Sequence, residues 1–204
     1  MPLVSYAEGD MMFSWLQFLS YSGVMAITPG PNNLMSMSNA GNLGFRNAVG
    51  FNFGVWTGFS IVSLICAVFC STLSAVFPQI EMPMLILGAG YMLYLAWKIF
   101  RSSAVEERKA GAGSFASGLL LQFVNPKIYV NCIVSMQTYI LPVFFGNWVT
   151  IIGFALLLAF MGFVCTLLWA LFGAAFKLLF SKYAKITNTL MALLLVYCAV
   201  SLFL

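Results

Sequence analysis

Residues 25–36 read MAITPGPNNLMS. Two prolines flank a glycine, and two asparagines follow. The run before this stretch, residues 11–27, is almost wholly apolar. Proline lacks a backbone N–H and disfavours helix for the residue before it. Pro29 therefore pushes Thr28 towards extended geometry, and Pro31 does the same to Gly30. A helix should stop here and a new one start with Pro31 at its first position, where the missing N–H costs little. An apolar helix that breaks at such a point leaves free carbonyls on one side and free N–H groups on the other.

Composition says where that break sits. The chain of 204 residues is 62% hydrophobic and 7% charged, with a mean hydropathy of +1.00. Soluble domains carry about 25% charged residues, so this is an integral membrane protein. The apolar runs are continuous rather than alternating, which favours helices over a β-barrel. Spans need about 20 apolar residues, and six fit: 12–27 with its continuation past the break, 48–77, 84–100, 115–141, 148–171 and 187–204. The expected class is all-α and polytopic. The net charge of +4 is no nucleic-acid signal, because the basic residues sit in short segments between apolar runs. Residues 1–11 form a tail with Glu8 and Asp10 and no Lys or Arg, unlike a secretory leader.

Arg46, the group Lys98, Arg101, Arg108 and Lys109, and the group Lys177, Lys182 and Lys185 fall in alternate connections. The segments near Glu81 and Asn147 carry no Lys or Arg. All these cations share one side, which should be cytoplasmic, leaving both termini periplasmic. The polar linker 102–114, SSAVEERKAGAGS, divides the chain into 12–101 and 115–204. Three spans on each side give the halves opposite orientations, the arithmetic of an inverted repeat.

The second half has its own break. LQFVNPKIYVN, residues 121–131, places Asn125-Pro126-Lys127 inside an apolar span. Asn125 suits an N-cap and Pro126 the first helical position. Paired interruptions at corresponding positions of two halves point to a midplane binding site. In lipid, freed backbone groups must meet protein, water or a ligand. A helix N-terminus attracts a carboxylate and a helix C-terminus an ammonium. Together they match an amino-acid zwitterion.

The candidate binding residues are therefore Thr28, Pro29, Gly30, Pro31, Asn32, Asn33, Asn125, Pro126, Lys127 and Asn131. Lys127 stands apart as a cation far from any membrane edge, where insertion costs roughly 2.5–3.5 kcal/mol. It should face a cavity, pair with a solute carboxylate or act as a titrating gate. The asparagines satisfy freed backbone groups, contact solute, or both. Gly50, Gly54 and Gly58, four apart on one helix face, read as close helix packing, with Asn47 and Asn52 as interhelical hydrogen bonds. Tyr91, Tyr94 and Trp97 suit one interfacial belt, and Trp15 and Trp148 the other. The five cysteines lie in apolar segments and there is no histidine, so no metal or other cofactor is expected. A nucleophile beside a base, as an intramembrane enzyme would need, is not evident.

TPGPN, the spaced glycines of the second span, GAGYMLYLAWKIF and QFVNPK resemble the LysE/RhtB family of amino-acid exporters over residues 12–204. TPGPNN, LAWKI, LQFVN and ALLLVYCAV are most similar to members that export cysteine and O-acetylserine. The resemblance implies a bacterial inner-membrane efflux carrier with two inverted three-helix repeats, coupled to the proton gradient. It carries the site to Pro29, Gly30, Pro31, Asn32, Asn125, Pro126 and Lys127. Phe59 stands where some relatives have an acidic residue, and the spans hold no Asp or Glu for a carboxylate relay. Uncharged walls suit a small neutral solute such as cysteine or O-acetylserine, with threonine or homoserine as the alternative. A homodimer through exposed small residues is compatible with this pattern.

Overall fold

The computed structural model describes residues 13–101, 114–176, 182–200 and 203, with side chains 71–81, 84 and 184 outside the description. The expected tail and most of the linker fall outside these residues. What is described is helical. The elements are α1 (Trp15–Ile27), α2 (Pro31–Leu43), α3 (Phe45–Arg101), α4 (Phe115–Val124), α5 (Pro126–Val134), a π-helical stretch (Ser135–Ile140), α6 (Leu141–Phe144), α7 (Trp148–Ala175) and α8 (Ala184–Val200). Local chemistry sets the boundaries. Ser14, Ser114 and Asn147 cap α1, α4 and α7 with side-chain oxygens. Gly44, at φ 86°, ends α2 in a backbone region that L side chains rarely adopt.

Phe45–Cys70 and Trp148–Ala175 are each long and apolar enough to cross a bilayer. The stretch Phe115–Val124 plus Pro126–Phe144 also qualifies, as one span bent by 63°. Lys185–Val200 is a shorter apolar helix. By this measure the described residues hold two or three such spans, fewer than the six expected.

The gap expected between the second and third spans is helical, part of the 57-residue α3. No Gly or Asn stands between Phe69 and Gly88 to end a helix. The chain bends instead at Phe69, which leaves helical geometry at φ −109° and ψ 20°. A straight rod would separate Gly58 from Gly88 by about 45 Å. Yet Gly58 packs on Leu119 and Gln122, and Gly88 packs on Val124 and Pro126, all within one short stretch around the second break. The two arms of α3 therefore flank the same helix.

Directions follow from the contacts. Phe18 meets Tyr139 at 6.2 Å between ring centroids, Thr28 meets Lys127, and Asn32 meets Gln122. So α1–α2 runs antiparallel to α4–α5. The first arm of α3 runs antiparallel to α7, with Trp56 stacked on Phe163 at 5.0 Å and Ser63 bonded to the Ala155 carbonyl. These crossings need small residues. A Cβ on Gly54 would fall 2.0 Å from the Phe115 oxygen, and one on Gly118 2.1 Å from the Phe51 oxygen. Gly173 is pressed in the same way on the Met37 carbonyl. Gly54 and Gly58 lie at close helix crossings, while Gly50 is only half-buried.

Large apolar side chains cover the outside, including Leu16, Leu87, Leu120 and Val149. Such a surface suits lipid rather than water. At one end Ala40, Ala48 and Ala170 pack together near Arg46. Lys98 and Ser117 line one cavity at that end. The opposite end holds an aromatic group in which Phe13 touches Trp15, Phe144 and Phe154.

Candidate functional site

The two breaks face each other. At the first, α1 ends at Ile27 and Thr28 is its C-cap, with φ −59° and ψ 144°. Gly30 is extended at φ −169° and ψ 174°, and Pro31 opens α2. At the second, Asn125 serves both as C-cap of α4 and N-cap of α5, with Pro126 opening α5. The Asn125 side-chain oxygen accepts from the Lys127 N–H at 3.2 Å.

The carbonyls freed at the end of α1 are all taken. Met25 O accepts from the Thr28 hydroxyl at 3.1 Å. Ala26 O and Thr28 O both accept from the Asn33 amide at 2.9 Å. Ile27 O accepts from the indole of Trp169 on α7 at 3.1 Å. Thr28 O also accepts from the Lys127 ammonium at 3.2 Å, and the Thr28 hydroxyl oxygen accepts from it at 2.8 Å. The sequence reading left these carbonyls open to a solute ammonium. In this structure the ammonium of Lys127 occupies that place. The cause is proximity: the antiparallel crossing lays the start of α5 against the end of α1.

A second set of bonds ties α2 to α4. Asn32 donates to Gln122 at 2.9 Å, and Gln122 donates back at 3.0 Å. Asn125 also donates to Asn32 at 3.4 Å. Behind them, the Ser36 hydroxyl lies within hydrogen-bond reach of both the Asn52 side chain and the Thr166 carbonyl. Asn52 is thus interhelical, as expected. Asn47, near the start of α3, donates to the Leu43 carbonyl at the end of α2, four residues back and on an exposed face.

Between the breaks lies a cavity of about 30 Å³, lined by Asn32, Asn33, Phe59, Lys127, Asn131 and Thr166 among others. That volume has room for roughly two waters, so the site is too small for an amino acid in this conformation. Two hydrogen-bonding capacities point to it. The start of α2 has no side-chain cap, although Asn33 and its neighbours are buried. The Asn131 side-chain oxygen is buried without a partner. No Asp or Glu side chain is among the described residues, so nothing described neutralises Lys127.

Of the expected residues, Gly30, Pro31, Asn32, Asn33, Asn125, Lys127 and Asn131 line the cavity. Thr28 acts one step back, as the partner of Lys127. Pro29 is exposed, and Pro126 packs against Gly88. Both shape the breaks without lining the space. The sequence reading missed Gln122, Thr166, Trp169, Ser36 and Gly162. Gln122 lies in the quoted run of the second break, but its partner Asn32 is 90 residues away. Phe59 forms a wall, and a Cβ on Gly162 would fall 2.6 Å from its ring.

The family profile described as LysE type translocator matches residues 23–204. A relative from Salmonella typhimurium, the cysteine/O-acetylserine efflux protein, is 41% identical over 189 residues, covering 91% of this chain and 95% of the relative. The protein of the same name from Escherichia coli strain K12 is 39% identical over 188 residues, with the same coverage. The one from Salmonella typhi is 40% identical over 188 residues. No solved structure matches significantly.

Proposed function

Since the chain belongs to the LysE type translocator family, we propose that it is a bacterial inner-membrane efflux carrier for small neutral amino acids, cysteine and O-acetylserine foremost. The relatives' names supply the solute class. The observation that carries the site is the meeting of both helix breaks around a closed, acid-free cavity with Lys127 at its wall.

The chemistry fits a zwitterion. A carboxylate would lie against the uncapped start of α2 and the Lys127 ammonium. The ammonium of the solute would meet the unpartnered Asn131 oxygen. Lys127 would then leave or share the Thr28 oxygens it holds in the closed state. A cationic side chain would find no acidic partner here, which excludes lysine as a good solute.

Six spans follow if α1–α2 and α4–α6 each count as one broken span, α3 as two, and α7 and α8 as one each. The halves then form inverted repeats, consistent with the antiparallel broken helices. Alternating access would swing one half against the other about the cavity. The basic end faces the cytoplasm and both termini face the periplasm. Ser22 on α1 and Ser135 on the π stretch have buried hydroxyls without a partner. They offer polar footing beyond Asn131, away from the basic end. Transport is coupled to the proton gradient, with Lys127 as the sole ionisable cavity residue.

Proteoliposomes loaded with labelled cysteine, O-acetylserine, threonine or lysine test this. Cysteine and O-acetylserine should leave fastest, and a collapsed pH gradient should slow them. Preferred export of lysine would contradict the solute assignment; indifference to the gradient would contradict the coupling.

A further inference from the structure

A second, larger cavity of about 280 Å³ opens at the basic end, lined by Ser38, Asn39, Tyr91, Tyr94, Lys98 and Ser117 among others. It approaches the size of about 300 Å³ at which small-molecule pockets begin, whereas the central cavity, at about 30 Å³, does not. Its polar groups are donors in search of an acceptor. Asn39 is 3% exposed, yet its amide nitrogen has no partner. Leaving a buried amide donor unpaired costs about 1–3 kcal/mol, so an occupant that accepts from it is favoured. Lys98 brings an ammonium to the same space, and the described residues hold no carboxylate side chain to neutralise it. The Ser117 hydroxyl is spent on the Ser114 carbonyl at 2.8 Å, and Ser38 accepts from Asn42. Asn39 and Lys98 therefore define the chemistry: the cavity takes an anionic oxygen group.

The two cavities are lined by successive stretches of the same segments. On α2 the central cavity uses Asn32 and Asn33, and the outer one uses Met35, Ser38 and Asn39. On α4 the outer cavity uses Ser117 and Leu120, and the central one ends at Asn125. Gln122 lies between, joined to Asn32 by the paired amides. Seven residues of helix, Asn32 to Asn39, span about 10 Å. We propose that the outer cavity is a second solute site, where Asn39 and Lys98 hold the carboxylate of the amino acid at the basic face before the Asn32–Gln122 amide pair parts. This rests on the export reading above and adds a station to it.

The test uses the full chain in vesicles, with initial rates of labelled L-cysteine transport read against concentration from the basic face. Lys98→Gln and Asn39→Leu should each raise KM about tenfold, the worth of one charge-assisted hydrogen bond, at unchanged maximal rate. Lys98→Arg should restore most of it. Lys98 is exposed, so its replacement leaves folding intact even if Asn39→Leu does not. Wild-type transport with KM unmoved by Lys98→Gln overturns the outer site alone. Wild-type vesicles that move none of the amino acids overturn the export reading, and the outer site with it. The same rates are taken in phosphatidylcholine vesicles with and without phosphatidylglycerol. A Lys98→Gln effect seen only with the anionic lipid would assign the cavity to a lipid headgroup and overturn the proposal. An equal effect in both supports the solute carboxylate.

Discussion

The two helix breaks solve one problem in different ways. The second is a single residue wide and caps itself: Asn125 closes α4, accepts the Lys127 N–H and sets Pro126 at the head of α5. The first is longer and depends on others. Its carbonyls are held by Asn33 from the next helix, by Trp169 from α7 and by Lys127 from α5. The second break therefore donates and the first receives. The self-sufficient break supplies the cation, and the dependent break supplies the oxygens that hold it.

The largest effect should come from cutting the bridge between them. Lys127→Met removes the ammonium that would hold the solute carboxylate, a charge-assisted contact of up to about 3 kcal/mol, so transport should fall about 100-fold. Thermal unfolding in detergent should stay level or rise, because the change also removes a half-buried cation with no described carboxylate partner. Full transport in this variant would show that the bridge is only structural.

A glycine at each break gives the next contrast. A Cβ on Gly88 would fall 2.6 Å from the Val124 carbonyl and 3.0 Å from Pro126, both rigid. Gly88→Ala should destabilise the fold by about 1–3 kcal/mol. A Cβ on Gly30 meets only the Lys127 side chain, at 3.3 Å from its nitrogen, and the extended backbone there accepts any residue. Gly30→Ala should leave stability within about 0.5 kcal/mol while changing transport through Lys127. Equal losses of stability would erase the distinction between a packed break and an open one.

Asn33→Leu strips the first break of its own donor and leaves Ala26 O unpaired. A cost of about 1–3 kcal/mol is expected in chemical or thermal unfolding. Smallest are the single caps. Trp169→Phe at the first break and Asn125→Ala at the second should each cost about 1 kcal/mol. Only Asn125→Ala should also weaken transport strongly, since it touches Asn32 and positions Lys127. A larger transport loss from Trp169→Phe would reverse the roles of the two breaks.

The sequence shows the breaks because Pro29, Pro31, Asn125 and Pro126 act locally, through a missing N–H and a short capping side chain. It also shows Gly54 and Gly58, whose spacing marks one helix face. It does not show what fills the breaks. Trp169 and Gln122 meet partners 142 and 90 residues away, and nothing near either residue marks it for that role. Gly118 and Gly173 stand alone in apolar runs, without the repeat that made Gly54 legible. The bend of α3 at Phe69 is equally silent, because phenylalanine carries no turn signal. Lys127 is visible as an oddity, but its place on the Thr28 carbonyl depends on α4–α5 running antiparallel to α1–α2.

The most direct measurement is an experimental structure of the full chain in a bilayer mimic with L-cysteine bound. The solute should lie between the start of α2, Lys127 and Asn131, with both helix breaks still meeting at one cavity. No solute at the central cavity, or the two breaks lying at different membrane depths, would contradict the shared site.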